Sequence, residues 1–411
     1  MPLLSLLDTR AKPKGSRDPL GFESIWMGLG RKLIGNLTTI TGSTENFAVA
    51  ILGFKWAHDH VSALKPVPDA PHKEIREYFL KYEQLAAYLR HDSKSDILGI
   101  SRVKDRLAQA KPITLGLKAS QQILSNQASY GLWGLYSSAS RASGLVSGGD
   151  RTPTELGLEI AHLIEERMGT LVTQLKSAID QASPLDFAQL TEWQSDFIAG
   201  IRDTSAQEKL FDALIQGPKD HQVQRQLWAE VQEWLPLSTS EDGYQVLAEY
   251  LSTRSKNETI RHLAQAITET ERILVLANQL FTLGRQSGNK NLSDLEHLAN
   301  EHVDASSLPH SLSIELTESQ RTQLSPFFTA AQNRDWKAAF LALVKMNDDI
   351  MKDRDGAPWI RIEGNQKLSV RVADETTRLL PIEELPTAWN YDYFLNSLLK
   401  IVNQSAPVTH G

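Results

Sequence analysis

Seven cationic side chains crowd the stretch from position 102 to 151: Arg102, Lys104, Arg106, Lys111, Lys118, Arg141 and Arg151. Guanidinium and ammonium groups neutralise phosphate, and arginine can do so through two parallel N–H donors, so this stretch suggests contact with a polyanion. The same charges on a solvated helix face would need no ligand, and charge alone leaves both readings open. A second concentration lies near the C-terminus, where Asp348, Asp349, Asp353, Asp355 and Glu363 could offer carboxylates to the metal of a hydrolase. A calcium loop fails there, because Met351 would take the first ligand position and Ile362 the last.

Common catalytic signatures are missing. No Gly-rich loop ends in Gly-Lys-Ser/Thr, Gly28, Gly30 and Gly35 miss the dinucleotide spacing, and neither His-Glu-x-x-His nor a Gly-x-Ser-x-Gly elbow occurs. His58-Asp59-His60 reads as a hydrated helix end. His297 and His302 are separated by about 140° around a helix, too far for easy shared ligation. The chain contains no cysteine, which excludes disulfides, thiolate zinc sites and cysteine nucleophiles and fits a reducing, cytoplasmic setting. No cofactor is expected, and the chain reads as a binding or assembly subunit rather than an enzyme.

The elements that must position these side chains are helices. Phe22, Trp26, Leu29 and Leu33 recur at helical spacing, as do Phe47, Ile51, Phe54 and Val61, and then Ile75, Phe79, Tyr82, Leu85 and Leu89. Pro66-Val67-Pro68 separates the last two. Residues 1–19, with Lys12, Lys14, Arg17 and Pro19, lack periodicity and read as a flexible arm. The start, Met1 to Asp8, has no basic region and only a short apolar stretch, so no secretory leader is expected. No apolar run approaches the roughly 18 residues of a membrane span.

Charge divides the chain unevenly: residues 1–149 hold 19 Lys and Arg against 12 Asp and Glu, net +7, whereas residues 150–411 hold 24 against 38, net −14. Phosphate would be drawn to the first part and repelled by the second.

Between 95 and 168 the order of elements resembles a winged helix-turn-helix. A basic helix, Ile97 to Gln109, precedes Pro112-Ile113-Thr114-Leu115-Gly116 as a short strand, Lys118 to Asn126 as a second helix and Tyr130 to Ser143 as a third. The run from Ser143 through Gly148-Gly149-Asp150-Arg151 to Gly157 is similar to the family's strand, glycine-rich wing and following helix. The resemblance implies that the third helix enters a DNA groove. Phosphate contacts would then come from Arg102, Lys104, Arg106, Lys111, Lys118 and Arg141, while Arg151 and Ser/Gln side chains would touch groove edges. Winged helices also dock proteins, and the third helix carries one cation with Gly131 and Gly134 inside it, which leaves that alternative open. The whole chain also resembles, without a diagnostic motif, uncharacterised helical proteins of bacterial defence clusters, which would imply a role in antiviral genome defence.

The remainder predicts helices near 184–202, 205–216, 221–235, 241–254, 257–286, 293–303, 318–332 and 335–354. Candidate capping boxes are Thr204/Gln207, Ser238/Glu241, Ser293/Glu296 and Thr317/Gln320, with Ser183-Pro184 as a cap followed by proline. The longest stripe, Ile260, Leu263, Ile267, Thr270, Leu274, Ala277 and Phe281, suits a helix packed lengthwise in a bundle. Around Gly364-Asn365 the period changes to two, predicting a β-hairpin from Trp359 to Val372, followed by a terminal helix at about 389–403.

The expected protein is therefore mainly α, with a flexible arm at 1–19, a basic region with a winged-helix-like module at 20–168, an acidic helical bundle at 169–355, and a hairpin plus helix at 356–411. Its expected role is as a DNA-binding subunit of a multiprotein complex. The alternatives are a scaffold that docks an ATPase or nuclease, and a metal-dependent hydrolase using the carboxylates around Asp349 to Glu363.

Overall fold

The computed structural model describes residues 18–66, 71–93, 96–109, 111–181, 183–239, 242–288 and 290–405. Among them the chain is mainly helical, with 18 α-helices and two short antiparallel hairpins. No helix among them is long and apolar enough to cross a membrane. Most of the expected arm, including Lys12, Lys14 and Arg17, lies outside the described residues, as do Val67 and Pro68. The chain divides into two units, neither of them one continuous stretch: Ile34–Gln232 with Phe394–Gly411, and Met1–Leu33 with Glu233–Tyr393.

The unit built from Ile34–Gln232 centres on the Thr44–Ala63 helix, buried on nearly every side of its first fourteen residues. A helix apolar all round must be enclosed. The helices Pro71–Leu89, Glu155–Met168 and Thr204–Gln216 supply the enclosure. Gly53 permits the closest approach, since a Cβ there would lie 2.4 Å from the Tyr82 ring. Phe47, Ile51, Phe54 and Phe79 are all fully buried, each worth roughly 1.5–3 kcal/mol of apolar transfer. The Leu395–Ser405 helix packs on Thr204–Gln216, with Ser397 Oγ donating to the Thr38 carbonyl at 2.6 Å.

A buried polar network fixes the following segments on the Pro71–Leu89 helix. Gln84 exchanges both its amide bonds with the Gly116 backbone, at 2.7 and 3.0 Å. Glu83 accepts from Leu132 N at 2.5 Å and from Gln127 Nε2 at 2.8 Å. Burial pushes the Glu83 carboxyl up to about 7, although these donors and the Arg90 charge favour its ionised form.

Three expectations for this region are corrected. Residues 118–126 form turns, with no second helix. Gln121 Oε1 accepts from Lys118 N, Gln122 Nε2 donates to the Leu117 carbonyl, and Arg106 captures the carbonyls of Gln121 and Gln122 at 2.7 Å each. Local side-chain bonds of this kind compete with a helical ladder. The third helix is broken into Gln127–Tyr130, Leu132–Leu135 and Ser137–Ala142. Gly131 lies at the first break, where a Cβ would meet the Glu83 oxygens at 2.5 and 2.7 Å. The short strand expected at 112–116 is a single bridge from Ile113 to Leu185, and the hairpin that follows pairs Val146–Ser147 with Thr152–Pro153.

The other unit is organised by the Glu258–Gln286 helix of 29 residues, whose predicted stripe from Ile260 to Phe281 is buried throughout. Against it lie Glu23–Leu33, Tyr244–Arg254, Leu292–His302 and Trp336–Asp353. The hairpin pairs Ile360–Ile362 with Leu368–Val370. The terminal helix starts at Leu395, not near 389. Glu271 explains the difference: its carboxylate accepts from Asn390 N, Tyr391 N and Tyr393 Oη, and Tyr393 and Phe394 have positive φ.

Helix caps move by a few residues. The Thr317/Gln320 box forms, but elsewhere a nearby Asp or Asn takes the role: Asp186, Asp203 and Asn291 instead of Ser183, Thr204 and Ser293. The helix expected from Ser238 begins at Tyr244 behind Gly243. Asp and Asn cap at least as well as Ser and Thr, so they win where spacing allows.

Candidate functional site

Trp133 is the floor of the most distinctive cationic group. Its buried ring makes edge contacts with Phe79 and Phe54, at centroid distances of 5.4 and 5.9 Å. The Arg151 guanidinium carbon lies 3.8 Å over the ring centroid. Arg151 Nε donates to Ser137 Oγ at 2.6 Å and Nη1 to the Gly149 carbonyl at 2.6 Å, while Ser137 Oγ itself donates to the Trp133 carbonyl. Arg151 has φ 57°, a left-handed conformation costing a bulky side chain about 1–2 kcal/mol. The stack and the two hydrogen bonds hold it there.

Arg141 joins through the same serine, its Nε donating to the Ser137 carbonyl at 3.4 Å. Arg76 lies on the Pro71–Leu89 helix, one turn beyond His72, whose ring stands 6.0 Å from that of Trp133. Burial, then the charge of Arg141, lower the Arg151 guanidinium to about 10; Asp150 opposes this and Arg76 adds to it. At neutral pH the group stays charged. The Asp150 carboxylate is held by His72 Nδ1, and its backbone carbonyl faces His58 Nε2 at 3.0 Å. No carboxylate among the described residues forms an ion pair with Arg76, Arg141 or Arg151.

The seven predicted cations thus fall into separate places. Arg102 and Arg106 converge on the turn that begins at Lys118: Arg102 Nη1 lies 3.4 Å from the Gln122 carbonyl, and Arg106 also donates to Tyr88 Oη at 3.1 Å. Arg141 and Arg151 share Ser137. Tyr88 and Arg76 are twelve residues apart on one helix, about 18 Å along its axis, so the two groups are not one patch. Lys104 and Lys111 are exposed and join neither group through a contact. Of the polar side chains in and beside the expected third helix, Gln127, Ser137 and Ser140 are buried, and Ser129, Tyr130 and Ser138 are exposed. The third segment therefore does not offer an uninterrupted helix to a groove.

Sequence reasoning missed Arg76, His72 and Trp133. The i, i+4 spacing of His72 and Arg76 is the available signal, masked in the sequence by the stronger apolar periodicity of this helix. The acidic positions do not assemble: no three His, Asp or Glu among the described residues are grouped to hold a metal, and Asp349 pairs with Lys345 at 3.0 Å. A cleft of about 440 Å³ in the other unit is lined by Asn278, Gln279, Arg378, Leu380, Glu384 and Trp389. Gln279 is already bonded to Leu380 and His302 backbone, so its polar groups serve the fold. Comparison of the chain with protein-family models, with curated proteins and with solved structures gives no match.

Proposed function

We propose that this chain is a nucleic-acid-associated, DNA-binding subunit of a multiprotein complex, and that Arg76, Arg141 and Arg151 supply its phosphate contacts. One observation carries the reading: Arg141 and Arg151 are both anchored on Ser137, Arg151 lies over Trp133, the Arg76 charge acts on Arg151, and no carboxylate among the described residues is ion-paired to any of the three. Like charges are brought together at a cost, and a bound anion would remove it. Guanidinium forks suit phosphate and carry no base information, so backbone contact is the expected mode. A place in antiviral defence rests on the whole-chain resemblance alone.

Titrating labelled DNA at several salt concentrations tests this. Three cations predict a slope of log affinity against log salt of roughly −2 to −3. Arg76→Glu with Arg141→Glu should abolish binding, and unchanged affinity and slope would sink the reading.

A protein scaffold is the second reading. Leu237 and Val246, 67% and 41% exposed, line one groove with Trp234 and Tyr250 beside Asp242, Glu249, Arg254 and Arg272, and exposed apolar side chains rimmed by charge suit a docked subunit. Leu237→Asp should then release a companion protein while DNA affinity is unchanged.

A further inference from the structure

We infer that the seat formed by Arg76, Arg141 and Arg151 takes a dianionic phosphomonoester of the kind that ends a nucleic-acid strand, in preference to an internal phosphodiester. This deepens the nucleic-acid reading above and rests on it for the source of the phosphate.

Charge matching is the first argument. Arg141 and Arg151 meet on Ser137, and the charges of Arg76 and Asp150 both act on Arg151, which leaves a local surplus of about two positive charges; a phosphomonoester carries about −1.5 to −2 near neutrality. A diester carries only one negative charge and would leave part of the surplus uncompensated.

Donor geometry is the second. Arg151 is immobilised by Trp133, Ser137 Oγ and the Gly149 carbonyl, yet its Nη2 has no partner among the described residues. Arg141 uses only Nε, on the Ser137 carbonyl, and keeps both Nη groups. Two guanidiniums anchored on one residue can therefore present donors to a single small anion, with little ordering left to do on binding. The approach is open, because a Cβ at Gly148 or Gly149 would meet no atom within 4 Å.

The third argument concerns what lies beyond the seat. A duplex strand has one phosphate for about every 3.4 Å of axis. On the Pro71–Leu89 helix Lys81 stands about 7.5 Å beyond Arg76, and the group at its far end, about 18 Å away, has its Arg106 bonded to three oxygens of the protein. A strand running across this interval would meet Lys81 alone on that helix and leave most of its phosphates without a cation, whereas a strand end needs only the one seat.

The experiment compares two fluorescent single strands of one sequence, one with a 5′-phosphate and one with a 5′-hydroxyl, on the full chain by anisotropy. Inorganic phosphate serves as competitor and as a thermal-shift probe. The phosphorylated strand should bind about tenfold tighter, inorganic phosphate should erase that advantage, and Arg141→Gln with Arg151→Asn should bring the ratio to one. Arg141→Gln alone, an exposed position, should reduce the ratio without affecting folding. Equal binding of both strands, lost in the Arg141 variant, would overturn the inference and leave the nucleic-acid reading standing. An Arg141-dependent thermal shift with phosphate, but no strand binding, would uphold the seat with a free phosphate as its source and remove the nucleic-acid reading. No response to strands or phosphate would end both.

Discussion

At the C-terminal end of the Pro71–Leu89 helix, Arg106 points into the protein and donates to Tyr88 Oη and to the carbonyls of Gln121 and Gln122. Near the N-terminal end, Arg141 and Arg151 meet on Ser137 and the Arg76 charge acts on Arg151; among the described residues, only Arg151 of the three has more than one hydrogen bond to the protein. Both ends look alike as sequence, since each is basic and followed by turn-forming residues. They differ in which acceptor reached the guanidinium first. Backbone carbonyls freed from a helix ladder claim the first arginine and fix a turn, whereas around Ser137 most of the donors stay available. A cation is a ligand-binding charge only where the fold has left it one.

Four measurements would break or sharpen this contrast. Arg106→Ala should lower stability by about 3 kcal/mol, read from the urea midpoint, because it strands three oxygens that now accept from a charged donor. Its affinity for phosphate should stay within about twofold of the parent. Loss of phosphate binding in a folded Arg106→Ala protein would mean that the two ends are coupled.

The carboxyl beneath both ends gives the next effect. Glu83 is pushed from the ordinary 4.5 up to about 7 by burial, so the fold favours its neutral form. Its contribution is then fully present below pH 4.5 and is lost as pH rises through 7, by roughly 3 kcal/mol at most. Glu271, pushed to about 7 chiefly by burial, acts with the same sign in the other unit. Urea midpoints between pH 4.5 and 8 should fall less steeply in Glu83→Gln than in the parent. An unchanged profile would remove Glu83 as a contributor.

Arg141→Gln with Arg151→Asn should cost no more than about 1 kcal/mol of stability, since asparagine tolerates the left-handed backbone at 151 and its relief offsets the lost stack. A much larger loss would show that these arginines hold the hairpin instead of waiting for a ligand. The smallest effect is expected at the exposed Lys104 and Lys111. Substituting glutamine at either should change stability by less than about 0.5 kcal/mol and phosphate affinity less than twofold, as judged by urea midpoint and anisotropy.

Much of the helical order was legible because burial imposes periodicity. The stripe from Ile260 to Phe281 had one possible partner, another apolar surface, and every residue of it is buried. Polar competition was much less legible. Gln121 and Gln122 suit a helix by propensity, yet their side chains bond to backbone groups at Lys118 and Leu117 instead. Trp389, Tyr393 and Phe394 look like the face of a terminal helix until Glu271, more than a hundred residues earlier, takes the amides of Asn390 and Tyr391. At the candidate site, the arginines were visible as charges. Their convergence was not, because it depends on Ser137 offering its hydroxyl to one and its carbonyl to the other.

The flat contact between Arg151 and Trp133 gives the protein an internal optical gauge. An indole with a guanidinium 3.8 Å above it senses that charge in its excited state, so any event that draws the arginine aside alters the emission of this ring. The chain has nine tryptophans, and the difference spectrum between the parent and Trp133→Phe would isolate the one beneath the cation.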